Sequence, residues 1–449
     1  MRNRVDSRQS IVYSRSAQTL CVLCVFAVSV LLFSPLPTQA QTYAIRGATI
    51  HIMAGAPIQN GTVVIRDGKI AAVGANVSVP GGAREINGRG LHVYPGLFDS
   101  YTQLGLVEVG QGAAGTVDTT ELGDFKPQIM AASAVHPPTE LIPVARANGI
   151  THALAAPAGG IISGQAALIN LDGWVVDEMA IRRAGAMVVI WPTLGGGGGG
   201  FGGFGGGAAA RRRPFTEIKR EYDRRIEELA GWIERAKHYA QAMEKGSKEK
   251  VERDLKLEGL VPVVQGKLPV VITANGHREI KDAVEFCEKH ELKMILARGR
   301  EAPKVAALLK EKNIPVILGV SLALPASEDE PYDQPASIAA QLYKAGVKIA
   351  IATFDSSDSR TLPYEAANYV PFGLPAEEAL KAITVNPAEM FGVGDRLGTV
   401  EQGKIANLIV TNGDPLEFTT EVRYLFINGK LTSTENKHKS LYEKYLARP

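Results

Sequence analysis

Cysteine is nearly missing from this chain, with three among 449 residues. Cys21 and Cys24 fall in the first forty residues, and only Cys287 lies beyond them. A disulfide within the chain after position 40 is thereby excluded, as is a zinc site built on thiolates. An excess of one charge is missing too. The formal charge is +2, and the first forty residues hold four Arg and one Asp, so a chain cut after Ala40 carries −1. That balance gives no electrostatic footing for nucleic acid or an anionic surface. The apolar run at residues 20–33 falls short of the roughly 20 residues that a membrane-spanning helix needs. The P-loop pattern of a phosphate cradle is not met either. The glycine-rich stretch Gly159, Gly160, Ile161, Ile162, Ser163, Gly164, Gln165 is read as a loop, and it lacks the Lys-Ser/Thr pair.

What is present begins with a basic stretch at Arg2, Arg4, Arg8 and Arg15, then the apolar run, then Thr38-Gln39-Ala40. This is the pattern of a secretory signal over residues 1–40, cut after Ala40. It predicts an exported protein, periplasmic or secreted, with no stable membrane insertion once cut. A retained anchor is the alternative, and no convincing lipobox surrounds Cys21 or Cys24.

The remaining length suits one large barrel plus a smaller domain. Residues 41–93 and 396–435 read as short strands with turn punctuation, including a hairpin around Asp67-Gly68. Residues 94–395 alternate strand and helix, which predicts a parallel barrel. An insertion interrupts it at residues 195–213, where Gly195 to Gly207 is broken only by Phe201 and Phe204 and is followed by Arg211, Arg212 and Arg213. So glycine-rich a stretch predicts a flexible loop. A helix over 214–258 follows, with apolar residues at Phe215, Ile218, Tyr222, Ile226, Leu229 and Ile233. Residues 436–449 read as a C-terminal tail. The fold class expected is therefore α/β: a (β/α)8 TIM-like barrel plus a small β-sandwich built from both chain ends.

One stretch carries more than a fold. Residues 94–105 contain Pro95, Gly96, Leu97 and Asp99, followed by Tyr101 and Gln103. This resembles the first barrel strand of the amidohydrolase superfamily, where the lead-in is followed by His-x-His. Further marks are Gly403-Lys404-Ile405-Ala406-Asn407-Leu408 and Thr384-Val385-Asn386-Pro387-Ala388. Asp118-Thr119-Thr120-Glu121 and Leu362-Pro363-Tyr364-Glu365-Ala366 resemble the secreted bacterial imidazolonepropionase-like branch. The resemblance implies a hydrolase of carbon–nitrogen, non-peptide bonds with one or two divalent metals. It also implies the ligands: the strand-one His pair, often a carboxylated Lys on strand four, a His each on strands five and six, and an Asp on strand eight. The metal would activate water and the Asp would take its proton.

In this chain those positions are mostly replaced. Tyr101 and Gln103 stand in the histidine slots, residues 186–191 contain no Lys, Asn275 stands on strand five, and Arg298 on strand six. Asp355 keeps the strand-eight carboxylate, and His277 lies two residues past the strand-five slot. Asp355, as general base, and His277 are the remaining metal candidates, for zinc or another divalent ion. Arg298 is expected to pair with Asp355 across the barrel mouth. His152 reads as a core or rim histidine. Three readings follow: a weakly active or inactive homologue serving as a binding or partner subunit, an active single-metal or noncanonical hydrolase using Asp355, and a periplasmic small-molecule binding protein. The partners implied are a small-molecule ligand or substrate, a related subunit, or a second copy of the chain.

Overall fold

In the computed structural model the described residues are 41–109, 114–194, 214–244, 252–325 and 330–448. The signal-like segment, the Gly195 to Gly207 run and the three consecutive arginines lie outside them. The first strands are β1 (Tyr43–Ile50), β2 (Ile58–Arg66), β3 (Lys69–Gly74), β4 (Arg84–Asn87) and β5 (His92–Pro95). The β2–β3 hairpin turns at Asp67 and Gly68 with φ of 53° and 78°, the left-handed pair that an Asp-Gly turn supplies cheaply.

Eight strands form the barrel: β6 (Leu97–Thr102), β7 (Ile150–Ala155), β8 (Ile162–Asn170), β9 (Ala180–Ile190), β10 (Val270–Ala274), β11 (Met294–Arg298), β12 (Val316–Leu318) and β13 (Ile349–Ile351). They pair in chain order, β6 through β13. The interior alternates small and branched residues, with Ala186, Ala297, Ala350 and Ala352 beside Leu154, Val188, Val271, Ile295 and Ile317. Phe98, at the start of β6, packs on Phe391 with ring centroids 5.8 Å apart.

One strand departs from the parallel pattern. β8 runs antiparallel to both β7 and β9. Residues 156–161 carry no helix between β7 and β8, and a parallel return needs a crossover of a dozen residues or more. The glycine-rich stretch read as a loop therefore leads straight into β8, and Ile162 to Gln165 belong to the strand.

The seam between β6 and β13 is closed by individual bonds. Ser100 Oγ donates to the Ile351 carbonyl at 2.7 Å. Thr353 donates to the Asp99 carboxylate from its backbone N at 3.1 Å and from Oγ1 at 2.5 Å. Asp99 is fully buried. Burial pushes its carboxyl up to about 7, against the pull of the Thr353 hydrogen bonds.

The chain closes with β14 (Leu408–Thr411), β15 (Val422–Ile427) and β16 (Lys430–Thr432). β14 pairs with β5, so strands from both chain ends join one sheet around a core that includes Ile45, Ile65, Val93, Leu408 and Phe426.

The insertion helix differs from its expected span. The helix Phe215–Glu244 is followed by a separate helix, Leu255–Val264. Asp254 starts the second by accepting from the backbone N of Lys256 and Leu257, an N-cap the apolar spacing did not reveal. The first helix packs on the barrel's outer layer. Tyr222 accepts from Trp191 Nε1 at 3.0 Å and donates to Asp282 at 2.6 Å. The end of the chain, read as a tail, includes the helix Lys437–Leu446.

Candidate functional site

The barrel mouth is made by the C-terminal ends of the parallel strands, where barrel sites open. Three neighbouring strand ends leave the sheet through left-handed backbone at residues other than glycine: Arg298 at the end of β11 (φ 73°), Val320 after β12 (φ 59°) and Phe354 after β13 (φ 55°). For a β-branched residue such as Val320 this conformation is strained, and strain of this kind clusters at functional sites. Gly319 is required here. A Cβ on it would lie 2.2 Å from the Ala352 carbonyl oxygen and 2.7 Å from the Phe354 ring.

Phe354 is the centre of the mouth. Its backbone N donates to the Tyr101 carbonyl at 2.9 Å. Its ring lies 4.7 Å from the Tyr101 ring, and the Arg298 guanidinium stands over it at 4.6 Å. A cation on an aromatic face is stabilised by the ring quadrupole, more so when both are withdrawn from water. Burial lowers the Arg298 pKa while the nearby Tyr101 raises it, and a guanidinium remains charged throughout. Burial pushes the Tyr101 phenol up to about 12, so it is neutral at physiological pH. Sequence reasoning placed Tyr101 and Arg298 at the mouth and missed Phe354, whose signal was its place between Thr353 and Asp355.

The other positions are arranged differently. Asp355 Oδ1 accepts from the backbone N of Ser357 at 2.7 Å and of Asp358 at 3.0 Å. Its carboxylate thus holds the first two N–H groups of the helical turn Ser357–Thr361, whose N-cap position is Ser356, and the expected Arg298–Asp355 ion pair gives way to those bonds on one side and to the Phe354 face on the other. Gln103 follows β6 half-buried, its carbonyl accepting from Leu106 N at 2.9 Å. Asn275 is exposed beyond β10, its carbonyl accepting from Glu301 N at 2.9 Å.

His277 opens the helix His277–Lys289 and turns to Glu301, with Nδ1 2.7 Å from Oε2. Burial pushes the Glu301 carboxyl up, but bonds from Lys304 and His277 together outweigh it and bring it to about 2. His152 is a core residue, with Nδ1 2.6 Å from Thr151 Oγ1 and its ring 4.6 Å from Phe98. Burial pushes its pKa down to about 3.

These residues do not fit a divalent metal. The mouth offers a neutral phenol, an obligate cation and a carboxylate oxygen already engaged by two backbone N–H groups. A zinc-type ion needs several lone-pair donors at roughly 2.0–2.2 Å, mostly His or carboxylate.

With that geometry in view, comparison with known proteins shows what parts of the chain are similar to. Residues 266–432 match the model of the amidohydrolase family. The similarity to an amidohydrolase-family domain is carried by those residues. That match spans β10 to β16 and includes Asn275, Arg298 and Asp355. The chain is 24% identical over 391 residues to the amidohydrolase tasK of Hapsidospora irregularis, covering 83% of this chain and 39% of that protein. It is 39% identical over 67 residues to an imidazolonepropionase of Thermoplasma volcanium, 14% of this chain and 17% of that one. The chain thus spans well under half the length of these curated relatives. Among solved structures, an amidohydrolase from Thermotoga maritima superposes with a TM-score of 0.74 at 25% identity, covering 87% of this chain and 99% of that one. The expected fold class, an α/β barrel with a separate β-rich domain, is the fold of this chain.

Proposed function

We propose that this chain is an exported amidohydrolase homologue that binds a small molecule at the barrel mouth without hydrolysing it efficiently, by itself or as a subunit beside a relative or a second copy. The observation that carries this reading is Arg298, held over Phe354 and beside Tyr101 where the family resemblance implies a metal-ligating histidine. Hydrolysis by the family's route needs water brought to a pKa of about 7 by a metal, and the donors at the mouth are unsuited to holding one. Asp355, bonded to the next turn, is poorly placed to serve as a base. A fixed cation among aromatic faces favours a ligand with negative charge and an apolar body.

A second reading, hydrolysis of a carbon–nitrogen, non-peptide bond through a single metal at Asp355, draws support from the names of the relatives, an amidohydrolase and an imidazolonepropionase. Elemental analysis of the dialysed protein, with amide and imide hydrolysis assayed alongside, separates the two. The first reading expects far less than stoichiometric metal. It is overturned by near-stoichiometric zinc, manganese or iron lost together with activity in Asp355→Asn, which keeps an oxygen to hold the turn. Export is tested by cell fractionation and by the N-terminal residue of the recovered chain, expected to be Gln41.

A further inference from the structure

Two histidines that the barrel does not use meet in the β-rich domain. β1 and β5 pair in parallel with Thr49 opposite His92 and Ile50 opposite Val93. Continuing that register sets His51 beside Tyr94, and the two rings stack with centroids 4.1 Å apart and planes at 10°. His92 and Tyr94, two apart on β5, face the same side. The register thus brings His51 Nε2 to 3.0 Å from His92 Nδ1. Both histidines are half-buried. The turn after β14 adds Asp414, whose charge acts on both His51 and Tyr94 and whose Oδ1 accepts from Leu416 N at 2.9 Å.

The nitrogen separation carries the argument. Metal–imidazole bonds run roughly 2.0–2.1 Å. Two imidazoles on one ion at about 90° therefore stand about 2.9 Å apart, and at a tetrahedral angle about 3.4 Å. The 3.0 Å found here is the length of the hydrogen bond the two rings now share, and it is also the spacing the first case requires. Adjacent corners of a tetragonal N,O site are the preference of copper(II) and nickel(II), and copper(II) heads the affinity order for nitrogen donors. We propose that His51 Nε2 and His92 Nδ1 form an adjacent-corner bis-imidazole site for a divalent ion of the copper–nickel class, outside the barrel mouth. Both rings bind in their neutral form, each with its one proton on the far nitrogen. The hydrogen now shared between them moves to the far nitrogen of its own ring through solvent, so the ion takes its place without net proton release. Asp414 supplies negative charge beside His51, and water fills the remaining corners.

This inference is independent of the reading of the barrel mouth. The test is titration of the untagged full chain with copper(II), and separately nickel(II), followed by electron paramagnetic resonance for copper and by calorimetry for both. A single tight copper equivalent with an axial signal split by two nitrogens is expected. Its affinity should fall roughly tenfold or more in His51→Gln and in His92→Gln, and hold in the exposed control His438→Gln. In the unaltered protein, substoichiometric copper should broaden the imidazole resonances of His51 and His92 before those of any other histidine, a readout that needs no variant. The proposal is overturned by an absent copper equivalent, by undiminished binding in both Gln variants, or by broadening that begins elsewhere.

Discussion

Asp99 on the first barrel strand and Thr353 beyond the last are joined by two hydrogen bonds across 254 residues of chain. They stand where a regular ladder would otherwise close the barrel. The Asp99 carboxyl is raised to about 7 in the folded protein from an ordinary value of 3.8. A carboxyl raised on folding contributes stability that is fully present below its unfolded pKa and lost as pH rises through the folded one. Between about pH 4 and pH 7 the wild type should therefore lose up to about 4 kcal/mol relative to Asp99→Asn, with little further change above. Urea unfolding of both proteins across that range measures it, and a gap that does not change with pH refutes it.

Gly96 in the lead-in motif is a packing requirement. A Cβ there would fall 2.1 Å from Thr151 Oγ1 and 2.4 Å from its Cγ2. Gly96→Ala should cost about 1–3 kcal/mol or more, and adding Thr151→Ala should recover part of it by removing the two nearest atoms. Thermal unfolding of the single and double variants decides this; no recovery in the double would mean the strain lies elsewhere.

Tyr222 ties the insertion helix to the barrel through its hydroxyl. In Tyr222→Phe both Trp191 Nε1 and Asp282 lose that partner, an expected cost of about 1–3 kcal/mol. Denaturant titration checks the value, and an unchanged midpoint would show that solvent replaces the hydroxyl.

The mouth itself can be converted. Tyr101→His, Gln103→His and Arg298→His together remove a fixed cation and add three nitrogen donors. Zinc affinity, measured by competition with a chromophoric chelator, should rise at least about tenfold. No gain would mean that these three positions do not converge closely enough to share an ion.

Much of the scaffold was legible because it rests on local chemistry. The Asp67-Gly68 hairpin follows from two left-handed residues, and β10 and β11 from short apolar runs between turns. Arg298, at the end of β11, and Asp355, past β13, were placed by the resemblance to the family's ligand positions. Three features were hidden, each for a physical reason. The direction of β8 depends on how few residues separate it from β7, not on its own pattern. The Asp355 carboxylate turns along its own chain through local bonds that compete with the expected partner across the mouth. Asp99 and Thr353, like His51 and His92, meet through tertiary register, which no spacing in a single segment encodes.

The β14–β5 pairing also sets a timetable. β5 exposes one edge from the moment it is made, and the strand that covers it begins at Leu408, more than 300 residues later. The β-rich sheet therefore stays unfinished until the residues from Leu408 onward have been made. Truncation before Leu408 would leave the first strands with an open edge, ready to pair with another chain.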